Sequence, residues 1–158
     1  MELPATGAPA QGNWVQARAA LVENPSVFTA FERLALPVSF VFFGGGRISK
    51  RLLNWFAGQT DISFSLLHLP DYDPIGLDQF ERLRKRLGDR VRLHAPYDLP
   101  QRFERFGNRE LLRKPNSQTT LARLRRSELP EVLRIVRLID RYNAALEQEA
   151  LLLSMPLA

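Results

Sequence analysis

An apolar run over residues 62–69 that stops at Asp71-Tyr72-Asp73-Pro74-Ile75-Gly76 constrains this chain more than any other stretch. The run is short and continuous, as a buried strand would be. The segment behind it, residues 74–87, carries Leu77, Phe80, Leu83 and Leu87 at helical spacing, with Pro74 in the first turn. Alternate residues of an extended chain point the same way, so Asp71 and Asp73 can share one cation. The same residues also suit a plain turn and helix N-cap, since Asp accepts backbone hydrogen bonds there.

Two more apolar runs lie upstream. Ala19-Ala20-Leu21-Val22 ends at Glu23-Asn24-Pro25, where Pro25 stops a strand. Val38-Ser39-Phe40-Val41-Phe42-Phe43 runs into Gly44-Gly45-Gly46 and then into a helical pattern at Ile48, Leu52, Leu53 and Phe56. Strand, helix, strand, helix, strand, helix is the signature of a parallel sheet with crossover helices, and in such sheets ligands collect at the carboxyl ends of strands. Glu23, the three glycines and the Asp71/Asp73 pair all fall at expected carboxyl ends. The glycines serve a tight strand-to-helix turn, or allow a phosphate to approach the backbone.

Residues 90–94 alternate polar and apolar and read as a fourth strand, exposed or at an edge. After the breaks at Pro96, Asp98 and Pro100, helices are expected over residues 102–106, 110–114, 119–126 and 130–153. The last carries a stripe of Val132, Ile135, Val136, Leu138, Ile139, Tyr142 and Leu146. The expected organisation is a flexible leader over 1–17, a Rossmann-like α/β core of four mainly parallel strands over 18–100, and a helical extension over 101–158 packed on it.

With 158 residues, 45% of them hydrophobic, the chain can bury one real core. It has no cysteine, which excludes a disulfide framework and a zinc-thiolate site. No apolar run approaches the roughly 20 residues of a membrane span, and the leader lacks signal-peptide features, so no membrane partner and a cytoplasmic location are expected. His68 and His94 lack metal-ligand spacing and read as structural; Trp14, Trp55 and the ten Phe read as core. Tyr72, Tyr97 and Tyr142 sit in no recognisable nucleophile context.

The net charge of +5 conceals an asymmetry. Between Glu81 and Arg141 there are 17 Lys/Arg against 8 Asp/Glu, whereas residues 1–80 hold 5 against 7. Phosphate contacts by Lys and Arg dominate nucleic-acid affinity, so a basic half beside a carboxylate site suits a phosphodiester substrate. Arg82, Arg84, Lys85 and Arg86 fall on the helix after the acids, and Arg123, Arg125 and Arg126 near a later one. An ordinary solvated helix face explains any single cluster equally well.

One acid after the first strand and Asp-x-Asp after the third resemble a Toprim domain, the metal-binding module of topoisomerases, primases and several nucleases. Val22-Glu23-Asn24, Phe42-Phe43-Gly44-Gly45-Gly46, Asp71-Tyr72-Asp73-Pro74-Ile75-Gly76 and Leu146-Glu147-Gln148-Glu149 follow in the order and rough spacing of the Toprim portion of the Wadjet plasmid-defence nuclease subunit. That portion is itself similar to the Toprim domain of the type IIB topoisomerase A subunit. The resemblance covers residues 19–152. Two departures stand out: Leu69-Pro70 replaces the family's Gly-Asp before the second acid, and Pro74-Ile75-Gly76 replaces Thr-His-Gly, which removes a histidine.

The resemblance implies a divalent-metal-dependent endodeoxyribonuclease domain acting on DNA in an anti-plasmid or anti-phage defence system, with a condensin-like complex as partner; the apolar stripe of the last helix, for its part, suits packing on the sheet or on a second subunit of a homodimer. In that reading Glu23, Asp71 and Asp73 bind one or two Mg²⁺ or Mn²⁺ ions, hard cations that prefer oxygen ligands, and carry the catalysis. Glu23 could instead act as general acid or base. Asp78, Glu147 and Glu149 are candidate outer ligands. Gly44, Gly45, Gly46, Arg47, Lys50, Arg82, Lys85 and Arg86 are the candidates for touching nucleic acid. The alternative is a non-catalytic Toprim-like module that binds nucleic acid or a partner protein.

Overall fold

The computed structural model describes residues 18–59 and 64–155. The leader over 1–17, Trp14 within it, and the start of the apolar run at Ile62 lie outside the described residues. Four strands, β1 (Arg18–Val22), β2 (Phe40–Phe43), β3 (Ser65–Leu69) and β4 (Val91–Leu93), form one sheet in the order β2-β1-β3-β4. Every pairing is parallel, with Val22 opposite Phe43 on one side and Leu69 on the other. After β1 the chain steps outward to β2, then crosses back over β1 to β3, so the direction of winding reverses between β1 and β3. That is a topological switch point, where strand ends splay apart and leave a crevice at their carboxyl edge.

The helices are α1 (Pro25–Thr29), α2 (Lys50–Ala57), α3 (Pro74–Leu87), α4 (Leu99–Phe106), α5 (Ser117–Leu124) and α6 (Pro130–Tyr142). Successive strand residues face opposite ways, and β2 shows which helix covers which face. Phe42 packs on Trp55 and Phe56 of α2 at 5.5 and 5.2 Å, whereas Phe43 meets Phe28 of α1 at 5.3 Å. On the α2 side, His68 of β3 stacks on Phe80 of α3. The helical extension shares this core: α5 packs on α3 and α4 on α6, and Leu121, Leu124, Ile135 and Ile139 join one buried cluster with the sheet residues.

Helix α3 has the bounds its apolar spacing predicts. The final helix does not run to residue 153. It ends at Tyr142, because Asn143 turns left-handed (φ 46°) and its successor Ala144 donates back to Ile139 O at 3.3 Å. Leu146, expected on the helical stripe, instead pairs antiparallel with Tyr72 through two backbone hydrogen bonds of 2.8 and 3.1 Å. Ala145 pairs likewise with Asn108. The chain then closes in a 3₁₀ turn over Gln148–Leu152, whose carbonyls accept from two arginines: Ala150 O from Arg102 at 2.6 Å and Leu152 O from Arg33 at 3.0 Å. Helix α4 begins earlier than residue 102, at Leu99, since Pro100 is tolerated in a first turn. Not every Phe is core: Phe40 and Phe43 of the edge strand β2 are exposed. Among the described residues no helix is long and apolar enough to cross a membrane.

Candidate functional site at the switch point

Glu23 directly follows β1, and Asp71 lies two residues past the end of β3, which places both at the crevice of the switch point. With Asp73, Gly46, Arg47 and Lys114 they line a cavity of about 340 Å³, closed further by Asp78, Asn116 and Thr120. The three carboxylates brought together from residues 23, 71 and 73 therefore share one concavity. Each is held by a different part of the chain.

Glu23 points to the α3 side of the sheet, two residues on from Leu21, whose neighbour on β3 is His68. Its Oε1 lies 2.8 Å from His68 Nε2, and the imidazole is fully buried. His68 Nδ1 is buried with no hydrogen-bond partner among the described residues. A bare lone pair is tolerated there better than a bare N–H, so the neutral tautomer that fits is the one in which Nε2–H donates to Glu23. His68 is thus more than a packing residue: it fixes the rotamer of the first acid.

Asp73 is the N-cap of α3, its Oδ1 accepting from Gly76 N at 2.7 Å, and its Oδ2 lies 3.2 Å from Lys114 Nζ. The N-cap reading of this residue is realised, and the same side chain lines the cavity. Gly76 has no room for a side chain, because a Cβ there would overlap the Asp71 carbonyl oxygen. The first turn of α3 is pressed against the strand end in this way. Asp71 Oδ1 accepts from the backbone of Gln148 at 2.8 Å. Burial pushes the Asp71 carboxyl up to about 6; the Gln148 N–H pulls it down, the Asp73 and Glu23 carboxylates push it further up, and Lys114 offsets them in part.

Gln148 ties these pieces together. Its fully buried side chain donates from Nε2 to Leu69 O, at the end of β3, and accepts at Oε1 from Asn24 N, just past the end of β1, at 3.0 Å. One amide therefore sets the separation of the two strand ends that carry Glu23 and Asp71. The flanking candidates do not take part: Glu147 is exposed and Glu149 half-buried, and neither lines the cavity. Asp78 lines it but is paired with Arg123 at 2.6 Å.

The nucleic-acid candidates divide. Gly46 and Arg47 line the cavity, and Gly45 and Gly46 hold φ of 62° and 84°, a left-handed turn that favours glycine. Lys50 is exposed at the start of α2. Arg82 donates to Gln79 and Arg86 to Asn54. With Lys85 they lie on the later turns of α3, roughly 12–18 Å along the axis from its N-terminus at 1.5 Å per residue. Other arginines of the basic half are engaged by carboxylates: Arg84 by Asp89 and Glu131, Arg123 by Asp78 and Glu81, Arg125 by Asp140.

Lys114 is the residue the sequence did not single out. It is one of only three lysines, the other basic residues being arginine. Its position at the end of a 3₁₀ turn, before Pro115 and the left-handed Asn116, is the local signal that could have drawn attention to it.

The donor set facing the cavity is all oxygen, which suits Mg²⁺ or Mn²⁺. Yet among the described residues no three His, Asp or Glu side chains are grouped so as to hold a metal ion. Asp73 has both oxygens engaged, while Asp71 Oδ2 and Glu23 Oε2 have no protein donor among the described residues. Two carboxylates and water are a normal complement for Mg²⁺. Such an ion would be held by Glu23 and Asp71 through these two oxygens. Compared with protein-family models, curated proteins and solved structures, the chain matches none.

Proposed function

We propose that this chain is a Toprim-type, divalent-metal-dependent nuclease domain that cleaves DNA phosphodiesters. One observation carries the proposal: at the switch point of a parallel sheet, Glu23 and Asp71, each with one carboxylate oxygen that has no protein donor among the described residues, line a cavity bordered by Arg47 and Lys114. A bound Mg²⁺ or Mn²⁺ supplies Lewis acidity toward a phosphoryl oxygen and acidifies water. The protein's own residues supply the rest. Glu23 and Asp71 hold the ion, with His68 and Gln148 keeping their side chains aimed. Arg47 offers a guanidinium to the phosphate, and its place beside the glycine turn lets the backbone approach. The N-terminus of α3, a 14-residue helix capped by Asp73, adds its positive dipole to the same space. Action in a plasmid- or phage-defence system, alongside a condensin-like complex, rests on the Wadjet resemblance alone.

The raised proton affinity of Asp71 supports the same reading, since clustered and buried carboxylates without enough cation are a site waiting for positive charge. The experiment is nicking of supercoiled plasmid in Mn²⁺, with chelator and Asp71→Asn as controls. Nicking that chelator and the substitution both abolish is the expected result. Chelator-insensitive DNA binding with no Mn²⁺ uptake would refute it and leave the non-catalytic binding module.

A further inference from the structure

We infer that the outer face of α6 is a track for the backbone of duplex DNA, an arginine ridge that grips the duplex without entering the chemistry. The choice of DNA as the polyanion rests on the nuclease reading; the grip itself requires neither a metal ion nor cleavage.

Helix α6 turns Val132, Ile135, Val136 and Ile139 into the core. At 100° per residue, Arg134, Arg137 and Arg141 fall within about 60° of one another on the opposite side. All three are exposed. From first to last they span about 10.5 Å of helix. No Leu, Ile, Val or aromatic side chain of the helix falls within that arc, so the face offers a bilayer or an apolar partner nothing to bury.

Acids one turn away would neutralise such a row. The helix has them, but they are engaged elsewhere. Glu131, three residues before Arg134, lies on one flank and accepts from Arg84 of α3 at 3.1 Å. Asp140, three residues after Arg137, lies on the other flank and holds Arg125 with both oxygens, at 2.6 and 3.1 Å. Arg134 and Arg137 have no hydrogen bond or ion pair among the described residues. The Arg141 guanidinium lies over the Tyr142 ring at 5.3 Å, a contact that leaves its N–H donors open. Three uncompensated like charges therefore stand side by side, and an external polyanion relieves their repulsion.

The ridge also leads to the site. Leu146, five positions after Arg141, pairs with Tyr72, which stands between Asp71 and Asp73. Chain length alone keeps the Arg141 end within about 18 Å of that edge. At the other end Arg84 ties Glu131 to the carbonyl of Val91, where β4 begins. The ridge thus runs from the amino edge of the sheet toward the edge that carries the cavity. Duplex DNA carries a charge every ~1.7 Å of axis, and arginine pairs bidentately with phosphate, so the three guanidiniums meet successive phosphates whatever the base sequence.

The test is fluorescence anisotropy of a labelled duplex of about 20 base pairs, titrated with the intact chain in chelator across about 0.05–0.2 M salt. Each ridge arginine is expected to contribute about 0.9 to the slope of log affinity on log salt. Arg134→Gln/Arg137→Gln/Arg141→Gln should flatten that slope by about 2–3 and weaken binding by about two orders of magnitude near about 0.1 M salt. Arg18→Gln/Arg92→Gln, which removes two exposed arginines of β1 and β4, should leave the slope within about 0.3. A slope that falls equally, charge for charge, in that control overturns the ridge, as does a triple variant that binds like wild type. Displacement of the duplex by poly-glutamate at equal charge overturns the choice of DNA in favour of an acidic protein. Ridge-dependent binding without nicking in Mn²⁺ upholds this inference and removes the nuclease reading; nicking with a slope the triple variant leaves untouched does the reverse. No binding of the duplex by wild type overturns both. Should circular dichroism show the triple variant unfolded, the single substitutions decide, each expected to flatten the slope by about 0.9.

Discussion

Replacing Gln148 by Leu removes one amide of similar volume and tests whether this residue sets the geometry of the site. The Nε2 bond to Leu69 O is buried, and its loss strands a carbonyl in the core; the Oε1 bond from Asn24 N at 3.0 Å is partly buried. A stranded buried group costs about 1–3 kcal/mol, and a partly buried one falls toward the lower end. The sum is roughly 2–4 kcal/mol, with little added for a cavity because Leu nearly fills the space. For a chain of this size each kcal/mol moves the melting midpoint by about 2–4 °C, so a fall of roughly 5–15 °C is expected. The assay is urea and thermal unfolding followed by circular dichroism. Glu147→Ala, next door and exposed, serves as the control and should stay within about 0.5 kcal/mol. Because Gln148 ties the ends of β1 and β3, the variant should also bind Mn²⁺ more weakly in whatever fraction stays folded. A loss below about 1 kcal/mol with unchanged Mn²⁺ affinity would show that the strand ends are held by something else.

Three further outcomes follow from the same contacts. Gly76→Ala should destabilise by about 1–3 kcal/mol, because the new methyl meets the Asp71 carbonyl and either α3 or the strand end must move; urea midpoints check it. Glu23→Ala leaves the buried His68 ring with no hydrogen-bond partner among the described residues and should cost about 1–3 kcal/mol in thermal unfolding, whereas Glu23→Gln keeps an acceptor and most of the stability. The Asp71 carboxyl lies at about 6 in the folded metal-free chain against 3.8 when free, so the folded state binds the extra proton. Its contribution to stability is full below about pH 4 and is lost as pH rises through 6. Asp71→Asn should therefore gain on wild type by about 2–3 kcal/mol between pH 4 and 7 in chelator, and saturating Mn²⁺ should shrink that gain; a difference that stays flat across this range would refute it.

Local grammar carried much of the fold. β1, α3 and β4 could be read because apolar spacing, Pro25 and Pro74 act within a few residues of where they stand. The tail was harder for the same reason: Leu146 continues the periodic stripe of α6, and only the left-handed Asn143 separates helix from bridge. Periodicity reports that a residue is buried but not what it is buried against. The excess of arginine was legible as a count but not as a surface, since Arg84, Arg123 and Arg125 spend their charge on nearby carboxylates.

The candidate site divides along the same line. By itself the sequence determined that Glu23, the glycine turn and Asp71/Asp73 stand at carboxyl ends of strands, because strand ends are marked locally and parallel topology puts those ends on one edge. It could not determine what neutralises or orients them. His68 on Glu23, Gln148 across two strand ends and Lys114 on Asp73 are contacts spanning 45, 124 and 41 positions of the chain. Such pairings leave no pattern in a single sequence; they exist only once the sheet has formed and the tail has folded back over the switch point. Tertiary structure decided which carboxylate oxygens stay open and which are already taken.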